Sequence, residues 1–150
     1  MQRDEMPCDV LFVGGGPANL AGAIHLTDLI RAHNEAVEAG TKQGSPINEP
    51  TIGILEKGSE IGGHQLSGAI LDPKALTELI PNWKEREDFP LERWVQRDEL
   101  VFLTEGSHIK APWITPEQVN HGKPIVSLGK LCKWLAGIAY GPGTHHDLDW

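Results

Sequence analysis

The chain has 150 residues, of which 39% are hydrophobic and 23% are charged, and this length and composition are typical of one ordinary globular core. A formal net charge of -8 argues against nucleic acid and against an anionic membrane surface as electrostatic partners, because both require a basic patch. No apolar run approaches the length of a transmembrane helix, and the start M-Q-R-D-E-M-P-C resembles neither a secretory signal nor a transit peptide. The simplest expectation is a bacterial protein that faces the cytoplasm.

The most informative segment is residues 10–20, V-L-F-V-G-G-G-P-A-N-L, in which a short apolar strand runs into three glycines and then into a helical pattern. Because Gly14 and Gly16 have no side chains, they allow a tight turn and a close approach of the backbone to a pyrophosphate at the helix N-terminus. The dinucleotide-binding fingerprint usually has a third glycine where this chain has Asn19, and we expect that side chain to crowd the contact between helix and strand. The alternative interpretation is a plain turn from strand to helix.

A second strand with an acidic end strengthens the dinucleotide interpretation. The helical spacing that starts at Pro17 continues to about His33, and residues 33–50 have the composition of an inserted surface loop or a frayed helix end. A strand is predicted over Thr51–Leu55, and Glu56 follows it, where a carboxylate accepts a hydrogen bond from a ribose hydroxyl. This favours FAD or NAD over NADP. The alternative is that Glu56 is a solvated carboxylate at the end of a strand.

The remaining elements are predicted from caps and periodicity. Asp72 is expected to cap a short helix with Pro73 in its first position and Pro81 at its end. Residues 99–110 predict a small hairpin that turns at Glu105 and Gly106. Ser127 is expected to cap the last helix, whose apolar stripe consists of Leu128, Leu131, Cys132, Leu135 and Ile138. Between these elements, Trp113 and Ile114 lie in a proline-bounded loop that either packs on its own protein or contacts a membrane or another domain.

No catalytic or metal site is predicted from residue types. Cys8 and Cys132 lie far apart without a C-x-x-C companion, and Cys132 is expected in the core. The adjacent His145 and His146 are expected in a solvated tail. No Ser-His-Asp set or carboxylate pair indicates hydrolysis, so we predict no catalytic residue in this chain.

Several longer segments carry a family resemblance. Residues 57–73, K-G-S-E-I-G-G-H-Q-L-S-G-A-I-L-D-P, together with the glycine turn, resemble the N-terminal FAD-binding region of electron transfer flavoprotein-ubiquinone oxidoreductase. This is an iron-sulfur flavoprotein family that passes electrons to the quinone pool. The motifs L-x-x-L-I-P-N-W-K at 76–84, T-E-G-S-H-I at 104–109 and N-H-G-K-P-I-V-S-L-G-K-L-C-K-W-L-A at 120–136 agree in the same order. The resemblance covers about residues 8–136.

The resemblance implies an α/β fold, the N-terminal part of a Rossmann-like FAD-binding domain of the glutathione-reductase type. Residues 1–136 would be that part, with an inserted loop at 33–50, and residues 137–150 would be a divergent tail left by truncation. By resemblance, the pyrophosphate is surrounded by Gly14, Gly15, Gly16, Pro17 and Ala18. The adenosine ribose end is held by Glu56 and Lys57. The segment close to the flavin ring consists of Gly63, His64, Gln65, Leu66, Ser67 and Gly68.

Two features of that last segment stay open. His64 is either a packing residue or a neighbour of the flavin, and residues 62–68 have the alternative interpretation of a flexible loop.

The family also implies partners and a location. Its members carry a four-iron cluster held by four cysteine thiolates, which this chain lacks, so the cluster would belong to the full-length protein. Electron transfer flavoprotein and ubiquinone are the implied partners. The implied location is peripheral, on the cytoplasmic face of a bacterial inner membrane or at the mitochondrial inner membrane, with membrane contacts made by later sequence.

Two other functions remain possible for such a chain. One is an FAD-dependent monooxygenase or related reductase with the same FAD domain, and the other is a non-catalytic nucleotide-binding fragment. The family's activity is not expected of the truncated chain alone.

Overall fold

A computed structural model describes residues 7–141, which form an α/β protein with two compact units. The first unit comprises the described residues up to Gln65 and from Gly129 onward, and the second comprises Leu66–Leu128. In chain order the elements are β1 (Val10–Val13), α1 (Pro17–Glu38), β2 (Ile52–Leu55), β3 (Ala69–Ile70), α2 (Lys74–Leu79), β4 (Leu91–Trp94), β5 (Val101–Leu103), β6 (His108–Lys110), β7 (Pro124–Val126) and α3 (Leu128–Tyr140). Short 3-10 helices lie at Trp83–Glu85 and Pro116–Gln118. No helix within residues 7–141 is both long enough and apolar enough to cross a membrane.

The first unit contains the predicted strand-helix-strand arrangement. Strands β1 and β2 are parallel, with Val10 opposite Ile52, and α1 connects them. The helix approaches the sheet at Gly22, where an added Cβ would lie 3.1 Å from the ring of Phe12. This parallel pair with its crossover helix confirms the prediction made from the two short apolar runs and the glycine turn.

Helix α1 is longer than predicted, ending at Glu38 instead of near His33. Gly40, with φ of +69°, ends the helical path by adopting the left-handed conformation that glycine favours. The following segment folds back on the helix, because the Asn34 side chain donates to the Ile47 carbonyl at 2.8 Å and accepts from the Ile47 N–H at 2.7 Å. The expected insertion is therefore part helix and part surface segment.

The core of the first unit includes one face of α3. Three residues of the predicted stripe are buried there, as are two that the stripe omitted, so that the buried set is Leu131, Cys132, Trp134, Leu135 and Ala136. The start of the predicted tail, Gly137 to Tyr140, continues α3. Residues 142–150, including His145 and His146, lie outside the described residues.

The second unit contains a three-stranded antiparallel sheet, in the order β3-β7-β4, that the sequence did not predict. The register of β4 against β7 shifts between Leu91 and Arg93, which marks a bulge. Trp83 fills the core of this unit, with a ring centroid 4.7 Å from that of Phe89 and an indole N–H that donates to the Thr77 hydroxyl at 2.9 Å. The predicted hairpin is confirmed as β5 and β6.

Helix α2 begins one residue later than predicted. Pro73 occupies the N-cap position and Lys74 is the first helical residue. Asp72 still caps the turn, because its carboxylate accepts from the Lys74 N–H at 3.1 Å. The shift follows from the backbone of Pro73, whose ψ of 1° is not helical.

Candidate functional site

The glycine turn lies at the carboxyl ends of the two parallel strands. Gly14 has φ of +106°, a conformation that favours glycine, and its N–H donates to the Leu55 carbonyl at 2.6 Å. Gly15 is buried, and Gly16 is the N-cap of α1. The first bond of the helix runs from the Leu20 N–H to the Gly16 carbonyl at 3.1 Å. The turn therefore ties the end of β1 to β2 and directs the chain into the helix.

The N-terminus of α1 has the features of an anion site. Pro17 stands at the start of the helix, no side chain caps the N-terminus, and the first turn contains no acidic residue. The N–H groups of Ala18 and Asn19 precede the first intrahelical bond and carry the positive end of the dipole of a 22-residue helix. Backbone donors of this kind bind phosphate oxygens.

Glu56 is a partly buried carboxylate that is bonded to the glycine turn. One oxygen, Oε2, accepts from the Gly15 N–H at 2.7 Å, and the other, Oε1, accepts from the Gly58 N–H at 2.8 Å. The side chain is 19% exposed. The two N–H groups, of Gly58 and then Gly15, lower the pKa of Glu56, and the neighbouring His64 lowers it further. The interpretation as a merely solvated carboxylate is therefore wrong, whereas the bond to a ribose hydroxyl stays a prediction, for which each oxygen has a further lone pair.

Asn19 supports the turn instead of crowding it. Its amide Nδ2 donates to the Val13 carbonyl at 2.8 Å and to the Gly14 carbonyl at 2.9 Å. The expectation of a crowded helix contact was wrong, because the helix approaches the strand one turn later, at Gly22. The Asn19 amide therefore links the end of β1 to the first turn of α1 through two hydrogen bonds.

We expect the substitution Asn19→Ala to lower the free energy of unfolding by about 1 kcal/mol, because two carbonyls lose a donor. Urea unfolding at neutral pH measures the change. Asn48→Ala, at an exposed position of the surface segment, is the matched control and should leave stability unchanged. An Asn19→Ala variant as stable as the parent would show that these two hydrogen bonds contribute nothing to the free energy of unfolding.

A tight turn at residues 60–65, after β2, lies beside Glu56. Gly62 has φ of +83° and lies against the backbone of Gly129, and the Gln65 N–H donates to the Gly62 carbonyl at 3.1 Å. Glu60 pairs with Lys133 of α3 at 2.8 Å. The contacts with Gly129 and Lys133 join residues far apart in the chain, and the Gly62-Gly63 pair is their local sign in the sequence.

His64 and Gln65 lie beside the glycine turn. The His64 Nδ1 is 3.7 Å from Oε1 of Glu56, and the imidazole side chain is 62% exposed, so His64 is not a core packing residue. A Cβ added to Gly16 would have the Gln65 amide nitrogen as its nearest neighbour, at 3.9 Å. The structure therefore brings these two residues together with Glu56 and the turn.

The other predicted site residues are less closely placed. Lys57 and Gly63 are exposed in the first unit. Leu66, Ser67 and Gly68 belong to the second unit, where Leu66 is 82% exposed and Gly68 has φ of +76°. Their proximity to a flavin ring stays a prediction.

The Cys132 thiol is buried in the core of the first unit. Burial raises the pKa of the Cys132 thiol, and the charge of Glu56 raises it further, so this thiol stays protonated at neutral pH. Within residues 7–141 no three His, Cys, Asp or Glu side chains are grouped as metal ligands would be.

These elements define an α/β protein built on a parallel β-α-β unit, with a glycine turn, an uncapped helix N-terminus and a carboxylate at the end of the second strand. Its similarity is to proteins named electron transfer flavoprotein-ubiquinone oxidoreductase. The one from Dictyostelium discoideum, named as mitochondrial, is 42% identical over 143 residues, which are 95% of this chain and 21% of the relative. The one from Pseudomonas aeruginosa is 42% identical over 147 residues, 96% of this chain and 24% of the relative. The one from Mus musculus is 40% identical over 145 residues, which are 96% of this chain and 21% of the relative.

The resemblance drawn from the motifs is thereby confirmed. The chain spans between a fifth and a quarter of the length of these curated relatives. No family model matches it.

Proposed function

We propose that the first unit binds the dinucleotide FAD and that the chain is the FAD-binding part of an electron transfer flavoprotein-ubiquinone oxidoreductase. The observation that carries the proposal is the ionised Glu56 carboxylate, held 2.7 Å from the Gly15 N–H beside the uncapped N-terminus of α1. The partial positive charge of the helix end and the acceptor at the end of β2 match the two parts of an ADP group, the pyrophosphate and the ribose.

The residues present fit such a group. Space for a backbone approach exists at Gly16, where an added Cβ would meet nothing nearer than 3.9 Å. Gly15, by contrast, is enclosed, because a Cβ there would lie 2.9 Å from Oε2 of Glu56 and 3.1 Å from Ile61. Gly15 thus fixes the carboxylate, while Gly16 leaves the helix end open to a phosphate.

The roles of the remaining residues are proposed from the family resemblance. The five residues Gly14 to Ala18 surround the pyrophosphate with backbone, and Glu56 with Lys57 holds the ribose end. Residues 63–68 lie near the rest of the cofactor by resemblance. FAD, when bound, supplies the redox chemistry, and the chain binds it, orients it and excludes water from it.

The whole protein is proposed to be an oxidoreductase that passes electrons from reduced electron transfer flavoprotein through FAD and a [4Fe-4S] cluster to ubiquinone, peripheral to an inner membrane. Similarity to relatives of that name supports this function over a monooxygenase. A cluster takes four thiolates, and this chain has two cysteines, Cys8 and Cys132. The cluster ligands would therefore lie outside the part of the relatives that this chain matches, and this chain alone would bind FAD without transferring electrons to quinone.

The test is an FAD titration of the purified chain and of its Gly16→Ala variant, followed by flavin fluorescence and thermal unfolding. The parent should bind saturably and gain thermal stability with FAD. Gly16→Ala should fold as the parent does, because the added Cβ meets no protein atom closely, yet bind FAD about tenfold more weakly or worse, because the methyl group blocks the phosphate.

Gly106→Ala, in the hairpin turn of the second unit, is the matched control, since its Cβ would also enter open space. It should bind FAD as the parent does. A folded parent chain that shows no saturable FAD binding would overturn the proposed function.

A further inference from the structure

We infer that His64 contacts the ADP half of the bound cofactor, at the ribose and pyrophosphate, and not the flavin ring. The inference rests on the proposed function. The first observation is position, because the imidazole Nδ1 lies 3.7 Å from Oε1 of Glu56. Glu56 is the residue proposed above for the ribose end of the site.

The ring is held there by the chain around it. A Cβ added to Gly58 would lie 3.0 Å from Cε1 and 3.1 Å from Nδ1 of His64, so the imidazole rests on the bare backbone of Gly58. The turn that carries His64 is closed by the Gly63 N–H, which donates to the Glu60 carbonyl at 3.2 Å. Side chain and turn therefore place the ring beside the end of β2.

The contact with Glu56 is electrostatic, since 3.7 Å exceeds the length of a hydrogen bond. It orients Nδ1 toward the carboxylate and leaves Nε2 on the other side of a ring that is 62% exposed. An imidazole nitrogen in that position bonds either a ribose hydroxyl or a phosphate oxygen, and both belong to a nucleoside diphosphate. We therefore assign His64 to that ligand class.

The role of His64 depends on its packing against Gly58, which the sequence does not reveal. A glycine two residues after the acidic strand end is unremarkable in a loop rich in glycine. Its importance comes from the packing of the imidazole, which any side chain at position 58 would displace.

The experiment compares the affinities of ADP and FAD for the parent chain, His64→Ala and His64→Gln. We expect both ligands to bind about tenfold more weakly to His64→Ala. His64→Gln, whose amide also forms hydrogen bonds, should recover part of the lost affinity. This variant also provides the comparison with the parent if His64→Ala does not fold. His25→Ala, an exposed histidine on α1, is the control and should bind both ligands as the parent does.

An NMR measurement distinguishes direct contact between His64 and ADP from an indirect effect of His64 on the shape of the site. Addition of ADP to the parent chain should shift the imidazole NMR signals of His64, assigned by their loss in His64→Gln, and leave those of His25 in place. A parent chain that folds but binds neither ligand would overturn the proposed function itself. Weakened FAD binding with unchanged ADP binding would place His64 at the flavin. Unchanged binding of both, or FAD binding without ADP binding, would also overturn the inference.

Discussion

The substitution Gly62→Ala is expected to lower the free energy of unfolding of the first unit by about 3 kcal/mol, the sum of a left-handed backbone cost and a collision. Gly62 has φ of +83°, which L-residues adopt at a cost. The added Cβ would also collide with the carbonyl oxygen of Gly129, a backbone atom that no side-chain rotation can move. Relief requires a shift of the 60–63 turn or of the start of α3.

The matched control separates these two causes. Gly40 has a similar φ of +69° in the same unit, and an added Cβ there would meet nothing within 4 Å. Gly40→Ala should therefore show the conformational cost alone, about 1 kcal/mol. Urea unfolding of both variants measures the difference, and equal losses would show that the contact with Gly129 does not constrain the fold.

The sequence predicted the parallel β-α-β unit because its signals are local. A short apolar run that ends in three glycines indicates β1, and Pro17 marks the start of α1. The role of Asn19 was not predictable in the same way, since the fingerprint reports only that a glycine is missing. Which carbonyls an amide reaches depends on the path of the turn, and that path places Val13 and Gly14 within 2.9 Å of Asn19.

The sheet of the second unit escaped prediction for a different physical reason. Its strands have two to four residues, too few for an alternating pattern, and all of β4 is exposed. The contact between Gly62 and Gly129 joins residues far apart in sequence and has no local signature. Sequence reasoning thus found the turn and the acidic strand end, whereas the contacts that hold Glu56 and His64 in place come from tertiary structure.

We expect Glu56→Gln to destabilise the chain at neutral pH and to remove part of its acid sensitivity. The Gly15 and Gly58 N–H groups bond the ionised carboxylate, and a neutral amide has only one oxygen to offer them. Bonds to a charged acceptor are the stronger kind, so the loss should be about 2 kcal/mol at pH 7.

The pH dependence has a definite sign. The pKa of Glu56 is lowered in the folded chain, while in the unfolded chain it returns to about 4.3. The carboxylate therefore contributes its full stabilisation above that value and loses it as the pH falls through the lower folded pKa. Urea unfolding from pH 7 to pH 3 should show the gap between parent and Glu56→Gln narrowing below about pH 4.3.

Glu49→Gln provides the control, because Glu49 is exposed in the segment before β2. A surface carboxylate of this kind contributes little to stability, so its removal should leave the curve close to that of the parent. If the difference in free energy of unfolding between the parent and Glu56→Gln stays constant down to pH 3, the geometry of the carboxylate, and not its charge, stabilises the turn. In that case the lowered pKa would have no part in organising the site, and the loss in Glu56→Gln would come from the missing second carboxylate oxygen alone.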